Sequence, residues 1–442
     1  MNSRKIIVEI LNSVFYKASY SNIEINKRLN NSSLDTRDRS LVTEIVYGTI
    51  RYKKKIDFII KNYVKDIRLV DKTILNILRS TVYQILFLTK VPDYAAVNEA
   101  VNLAKTVSKS SSRFVNGVLR NILRNKDKNY LSCLNGKKLL AVKYSFPNWM
   151  IELFIEQYGM EKTKSILKNL NETPNITVRV NTLKCSYDDI LEKLEENGYD
   201  VEDGTICPEA IKINKGSSIE HNDLFKGGYI TVQDESAMLT AQLLDLAENM
   251  NVIDLCSAPG GKATHIGELM NNTGKITACD IYEHKIKLIN DNCSRLGITD
   301  VEAVVNDAAV INNNFINSAD RVLVDVPCSG LGIIRKKPEI KWNKTKKSLN
   351  ELCTIQRDIM ENAWRYLKND GIMVYSTCTI NKDENEKNID WFLECHKDAE
   401  IEKIFIGQLD NIIYNDNNTV TILPNKDMDG FFLAKLRKKG RC

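Results

Sequence analysis

The sequence predicts a multidomain α and α/β protein: an all-helical domain over residues 1–140, a small α+β connecting domain over 141–235, and a doubly wound α/β domain over 236–442. Three observations carry this. The chain has 442 residues, which at ~150 residues per domain is about three domains. The first 140 residues hold only Gly48, Gly117, Gly136 and Pro92 as helix breakers, so long helices run there uninterrupted. From Ser236 onward strand-like and helix-like segments alternate, the rhythm of a mostly parallel sheet with crossover helices.

Each element follows from its pattern. Ile6, Ile7, Ile10, Leu11 and Val14, and again Ile74, Ile77, Leu78 and Val82, recur at helical spacing. DTRDRSLVTEIVYGTIRYKKKID reads as one long helix capped by Asp35 and basic at Lys53 to Lys55. In the connecting domain NWMIELFIEQYGMEKTKSILKNLN is helical, Ile176 to Thr182 alternates like a strand, and YDDILEKLEENG returns to helix. Ala210 to Ile213 and Tyr229 to Val232 add short strands. The last domain has strands at Val252 to Leu255, Lys275 to Cys279, Val301 to Val305, Arg321 to Val326 and Gly371 to Thr377, with helices at Glu283 to Leu296 and Lys347 to Leu367. TVTILP and GFFLAKLRK should form an antiparallel edge pair.

Composition excludes several classes. Apolar stretches such as Ile85 to Leu88 fall far short of the ~20 residues of a spanning helix. Arg4 and Lys5 precede an apolar run that Glu9 and Asn12 interrupt, with no small-residue cleavage site, so no secretory signal is expected. Eleven cysteines without a C-x-x-C pair, and four histidines without ligand spacing, speak for a reducing cytoplasm and against a metal site. The net charge of +5 conceals a division. Residues 1–140 hold 26 Lys and Arg against 11 Asp and Glu, a net of +15, and the remainder is net −10. A basic segment of this kind collects nucleic acid.

In an open α/β sheet ligands bind beyond the carboxyl ends of the strands, and the informative residues cluster there. The first strand of the doubly wound domain runs into DLCSAPGGKATH, Asp254 to His265. Pro259, Gly260 and Gly261 make a side-chain-poor turn that lets backbone amides approach a ligand at a helix start. Asp280 lies 26 residues after Asp254, where an acid accepts from a ribose diol. Asp307 and Asp325 end the next two strands. The loop is neither G-x-G-x-x-G nor a P-loop, since alanine follows Lys262. A cofactor without pyrophosphate, such as S-adenosylmethionine, suits it.

Two cysteines decide the reaction: Cys328 in DVPCSG and Cys378 in YSTCTI, after neighbouring strands. A lone buried cysteine is usually packing; two thiols beside one cofactor cleft call for chemistry. Carbon-5 of a pyrimidine is too electron-poor to attack a methyl sulfonium, but a thiolate added at carbon-6 makes it enamine-like. Asp325 is placed to stabilise charge developing at ring nitrogen-3, a base must remove the carbon-5 proton, and the nucleotide must leave its stack. The residues alone do not rank the two thiols, because DNA cytosine methylases use a Pro-Cys thiol.

DLCSAPGGKATH, Asp280, Asn306–Asp307, DVPCSG and YSTCTI together resemble the Sun/Fmu group of RNA cytosine-5 methyltransferases, and VQDESAM (Val232 to Met238) and DGFF (Asp429 to Phe432) fit the same group. DRSLVTEIVYGTIR, VPDYAAVNEAVNLAK and RFVNGVLRNILR resemble a NusB-like RNA-binding domain. The resemblance implies a Rossmann-like class I methyltransferase domain with Cys378 as nucleophile and Cys328 assisting product release. It implies an S-adenosylmethionine site lined by Cys256, Ser257, Ala258, Pro259, Gly260, Gly261, Lys262, Asp280, Asp307 and Asp325. The substrate would be a cytosine in small-subunit (16S) ribosomal RNA, and the protein a cytoplasmic, metal-free monomer. Thr379 departs from the serine that commonly follows the nucleophile.

Between the thiols, RKKPEIKWNKTKK (Arg335 to Lys347) carries seven cations, one acid and Trp342. It reads as a substrate clamp in which Arg335, Lys336, Lys337 and Lys341 contact RNA phosphates. Rival readings are the same chemistry on transfer RNA, a non-catalytic RNA-binding or assembly factor with a relict pocket, and a nucleotide-dependent dehydrogenase.

Overall fold

The computed structural model describes residues 3–216 and 218–440. It divides into two compact units, one of residues 1–171 with 334–344, the other of residues 172–333 with 345–442.

The first unit is helical throughout. Its first helix, Ser3–Lys17, and its central helix, Lys72–Phe87, bury the two predicted apolar faces in one core. Each such side chain contributes about 1.5–3 kcal/mol on leaving water. Asp35 caps the helix Thr36–Arg51 by accepting from Asp38 N at 2.7 Å. The single long helix expected there is two: Tyr52 leaves helical geometry, its ring stacks on Phe87 at 4.5 Å, and Lys53–Ile60 starts anew. Gly48 is required by packing, since a Cβ there would lie 1.9 Å from Tyr83 Cζ. The helix Asn148–Asn169, kinked at Gly159, packs with this unit.

Residues 334–344 also pack here, which corrects the expected clamp. Arg335 and Lys341 are 1% exposed. Lys341 Nζ donates to Arg51 O at 3.1 Å and Asn171 Oδ1 at 2.6 Å, over the Phe146 ring at 3.8 Å. Glu339 accepts from Ser21 N at 3.1 Å and Ser21 Oγ at 2.8 Å, and Trp342 Nε1 donates to Ile50 O at 2.8 Å. The segment is thus a strap held by core contacts, and two of its four proposed phosphate ligands face protein. Lys336 and Lys337 are half-buried, Lys337 lying 5.7 Å over Tyr20.

The second unit contains two sheets. The small one has β1 (Ile176–Val180), β2 (Asp200–Asp203), β3 (Ala210–Lys215) and β4 (Ile230–Val232), ordered β2-β3-β1-β4 and antiparallel. The large one has β5 (Asn251–Asp254), β6 (Lys275–Asp280), β7 (Val301–Val305), β8 (Ala319–Asp325), β9 (Leu367–Thr377), β10 (Ala399–Glu402), β11 (Ile412–Tyr414), β12 (Val420–Ile422) and β13 (Phe431–Lys438). Its order is β11-β12-β13-β9-β8-β5-β6-β7, with β10 against β13. Strands β5 to β9 are parallel, β13 antiparallel to β9. This is the Rossmann-like methyltransferase fold the sequence predicts. β12 and β13 pair as expected, but they are not an edge: β11 lies against β12 and β10 against β13, each only three or four residues long. Arg179, in β1, is fully buried; it pairs with Glu268 at 2.8 Å and donates to Gly261 O at 2.9 Å, so the small sheet grips the helix Gly261–Leu269.

Candidate active site

Parallel pairing sets the predicted residues in one row. Asp325 lies opposite Ser376, Asp280 opposite Val305, and Asp254 opposite Leu323 and Ala278. Asp254 and Asp280 are buried; Asp307 is exposed at the rim.

The turn after β5 forms because Ser257 N donates to Cys279 O at 2.8 Å and Gly260 N to Ser257 O at 2.7 Å. Gly260 has φ 100° and caps the helix Gly261–Leu269; a Cβ there would approach Ile289 Cα at 3.1 Å, so only glycine fits. Among the described residues, both Asp254 carboxylate oxygens, Ser257 Oγ and Asn306 Nδ2 are buried without hydrogen-bond partners. Burial pushes the Asp254 carboxyl up to about 7, against the pull of Ser257 and Lys262. Unpaired polar groups of this kind are expensive and are what a polar ligand would satisfy. Asp280 accepts from Tyr282 N at 3.1 Å and faces Lys285 at 3.4 Å. Cys256, also in the turn, is a thiol held protonated by burial and by Asp254, Asp325 and Asp280.

Lys262 reaches across to Asp325 at 2.7 Å, and Ser376 Oγ donates to the other carboxylate oxygen at 2.8 Å. Burial opposes the Lys262 charge, but Asp325 and Asp254 outweigh it and raise its pKa. The two predicted cysteines meet: Cys328 Sγ and Cys378 Sγ are 3.3 Å apart, and both are partly exposed. The hydrogen bond with Cys378, then burial, then the charges of Cys378, Glu384 and Asp325 hold the Cys328 pKa well above that of a free thiol.

The flanking motifs close the same region. A Cβ on Gly332 would lie 2.1 Å from Gly430 O, so the two backbones abut, and Gly332 N donates to Cys378 O at 3.0 Å. Asp234 caps the helix Glu235–Gln242 and accepts from Asp429 N at 3.3 Å. Sequence reasoning did not find Glu384, which is fully buried among the cysteine loops, or Arg179; the only sign of Arg179 was a charge inside an apolar strand. Among the described residues no group of three or more His, Cys, Asp or Glu side chains could hold a metal ion, and no helix is long and apolar enough to cross a membrane.

Known proteins resemble this chain over its full length. Probable ribosomal RNA small subunit methyltransferase B of Bacillus subtilis is 36% identical over 99% of both chains. The chain belongs to the ribosomal RNA small subunit methyltransferase B family. The family model described as 16S rRNA methyltransferase RsmB/F matches residues 241–437, that of the NusB family residues 1–124, and that of an RsmF/B-like ferredoxin-like domain residues 146–220. Ribosomal RNA small subunit methyltransferase B of Photorhabdus laumondii is 30% identical over 99% of both chains. Of solved structures, PH0851 is 29% identical with TM-score 0.84 over 99% of both chains. NSun6 from Pyrococcus horikoshii, solved with the S-adenosylmethionine analogue SFG, is 25% identical with TM-score 0.61 over 67% of this chain and 100% of that one. The cofactor is S-adenosylmethionine, and the unpaired Asp254, Ser257 and Asn306 groups fit a polar ligand of that kind.

Proposed function

We propose that this enzyme methylates carbon-5 of a specific cytosine in small-subunit (16S) ribosomal RNA through a covalent bond between Cys378 and carbon-6, in the cytoplasm. The observation that carries the reading is the 3.3 Å separation of Cys328 and Cys378 beside the Lys262–Asp325 pair. Residues Cys256 to Lys262, Asp280 and Asp307 would hold the cofactor, which would supply an electrophilic methyl on a sulfonium and keep the electrons of the broken carbon–sulfur bond as a neutral thioether. The Cys378 thiolate adds to carbon-6 of the flipped base. Asp325, relaying a proton from Lys262, neutralises ring nitrogen-3 as charge develops there. Carbon-5 then carries the electron density that takes the methyl. Loss of the carbon-5 proton to a base expels Cys378, and the proton on nitrogen-3 returns to the Lys262–Asp325 pair. Cys328, adjacent to the breaking bond, assists this release.

The basic helical unit captures RNA by charge, and Lys336 and Lys337 remain candidates for phosphate contact. Bisulfite sequencing of 16S ribosomal RNA from cells with and without the gene tests the reading. One protected cytosine that disappears on deletion is expected; an unchanged 16S pattern with a lost site in transfer RNA would overturn the substrate.

A further inference from the structure

The proposed chemistry leaves a buried carboxylate unused. Glu384 is fully buried. Its Oε2 accepts from Ser329 N at 2.8 Å and Gln356 Nε2 at 3.1 Å, and its Oε1 from Ser329 Oγ at 2.5 Å and Asn381 Nδ2 at 3.0 Å. Ser329 Oγ lies 2.8 Å from Thr379 Oγ1. Ser329 and Thr379 are the residues that follow the two cysteines. Removing a carboxylate from water is costly, and four donors aimed at one offset that cost. Regular β8–β9 pairing stops at Asp325 and Ser376; beyond it the backbone joins the loops at Val326 N to Ser376 O, 3.2 Å, and at Gly332 N to Cys378 O, 3.0 Å, and the Glu384 carboxylate joins them through side chains.

We infer that Glu384 is a positioning residue: its carboxylate ties the Ser329 loop to the Thr379 loop and so fixes Cys328 Sγ at 3.3 Å from Cys378 Sγ. The inference rests on the two-thiol reading above. At that spacing the two sulfurs share a hydrogen bond, which raises the Cys328 pKa. The charged groups around the pair are Glu384 and Asp325, with Lys262 held by Asp325. Both acids and the neighbouring sulfur keep Cys328 a thiol. Loosening the loops would break that hydrogen bond, so the Cys328 pKa should fall. Glu384→Gln keeps the shape but sets an amide N–H₂ against donors, which loosens one loop.

The test is alkylation of the full-length protein by iodoacetamide across pH, read cysteine by cysteine by peptide mass spectrometry, with methylation kinetics alongside. In Glu384→Gln the Cys328 midpoint should fall by at least one pH unit. The kcat should fall at least tenfold with the KM for S-adenosylmethionine unchanged. A structural role alone would lower the melting temperature without moving the Cys328 midpoint. Should that variant not fold, Ser329→Ala removes one arm and is expected to shift both readouts in the same direction. Unchanged midpoints and kcat in a folded variant overturn the inference. Cys378→Ala separates the two ideas: if it still methylates, the two-thiol reading fails; if it is inactive while Glu384→Gln is normal, only Glu384 is excluded.

Discussion

Replacing Asp254 with asparagine should stabilise the protein at alkaline pH and leave it unchanged in acid. Burial pushes the folded carboxyl up to about 7, against about 3.9 in an unfolded chain. The folded state therefore binds this proton more tightly. Its contribution to stability is complete below about pH 4 and is lost as pH rises through 7. Over that gap of roughly three pH units, at about 1.4 kcal/mol each, the ionised group costs about 4 kcal/mol at pH 8. Asparagine carries no such cost, and it keeps a side-chain oxygen that can accept from Ser257. For a domain of about 150–250 residues 1 kcal/mol moves the melting temperature by roughly 2–4 °C. Melting of cofactor-free protein at pH 5, 6, 7 and 8 should show the variant's advantage growing to as much as about 8–16 °C. A difference flat across that range would refute the reasoning. A charge retained at such a cost is the mark of a binding site rather than of a core.

Two further substitutions test the packing argument. Arg179→Leu strands Glu268, 4% exposed, and should destabilise by about 3–5 kcal/mol while weakening S-adenosylmethionine binding by calorimetry; the Arg179→Leu, Glu268→Leu pair should recover much of the stability. Lys341→Met should leave the salt dependence of RNA binding untouched because the amine is buried against Asn171 and Phe146; a slope reduced by about one would restore it as a phosphate ligand.

Much of the site could be read in the sequence because its parts sit at strand ends, where an apolar run stops at Asp254, Asp280 or Asp325 and the chain order alone supplies the geometry. The cysteines were legible for the same reason: β8 and β9 are neighbours. What escaped was decided by distant packing. Lys341 and Arg335 sit in a run of cations that reads as solvated, yet Lys341 bonds to a carbonyl 290 positions away. Ile340 and Trp342, which punctuate that run, were the available hint. Glu384 offered none, since an acid among Lys382, Asp383 and Glu386 looks like surface until the Ser329 loop folds onto it. Tyr52 likewise continued a good helical pattern, and the break goes with distant contacts: its stacking on Phe87 and the Lys54 N bond to Ser145 Oγ.

The central claim is that Cys378 bonds to the substrate base and Cys328 helps to release it. The direct measurement is denaturing electrophoresis of the protein with S-adenosylmethionine and a labelled 16S RNA fragment. The account predicts a protein–RNA band that persists in Cys328→Ala and vanishes, with activity, in Cys378→Ala. A band that survives loss of Cys378 and vanishes with loss of Cys328 would contradict it.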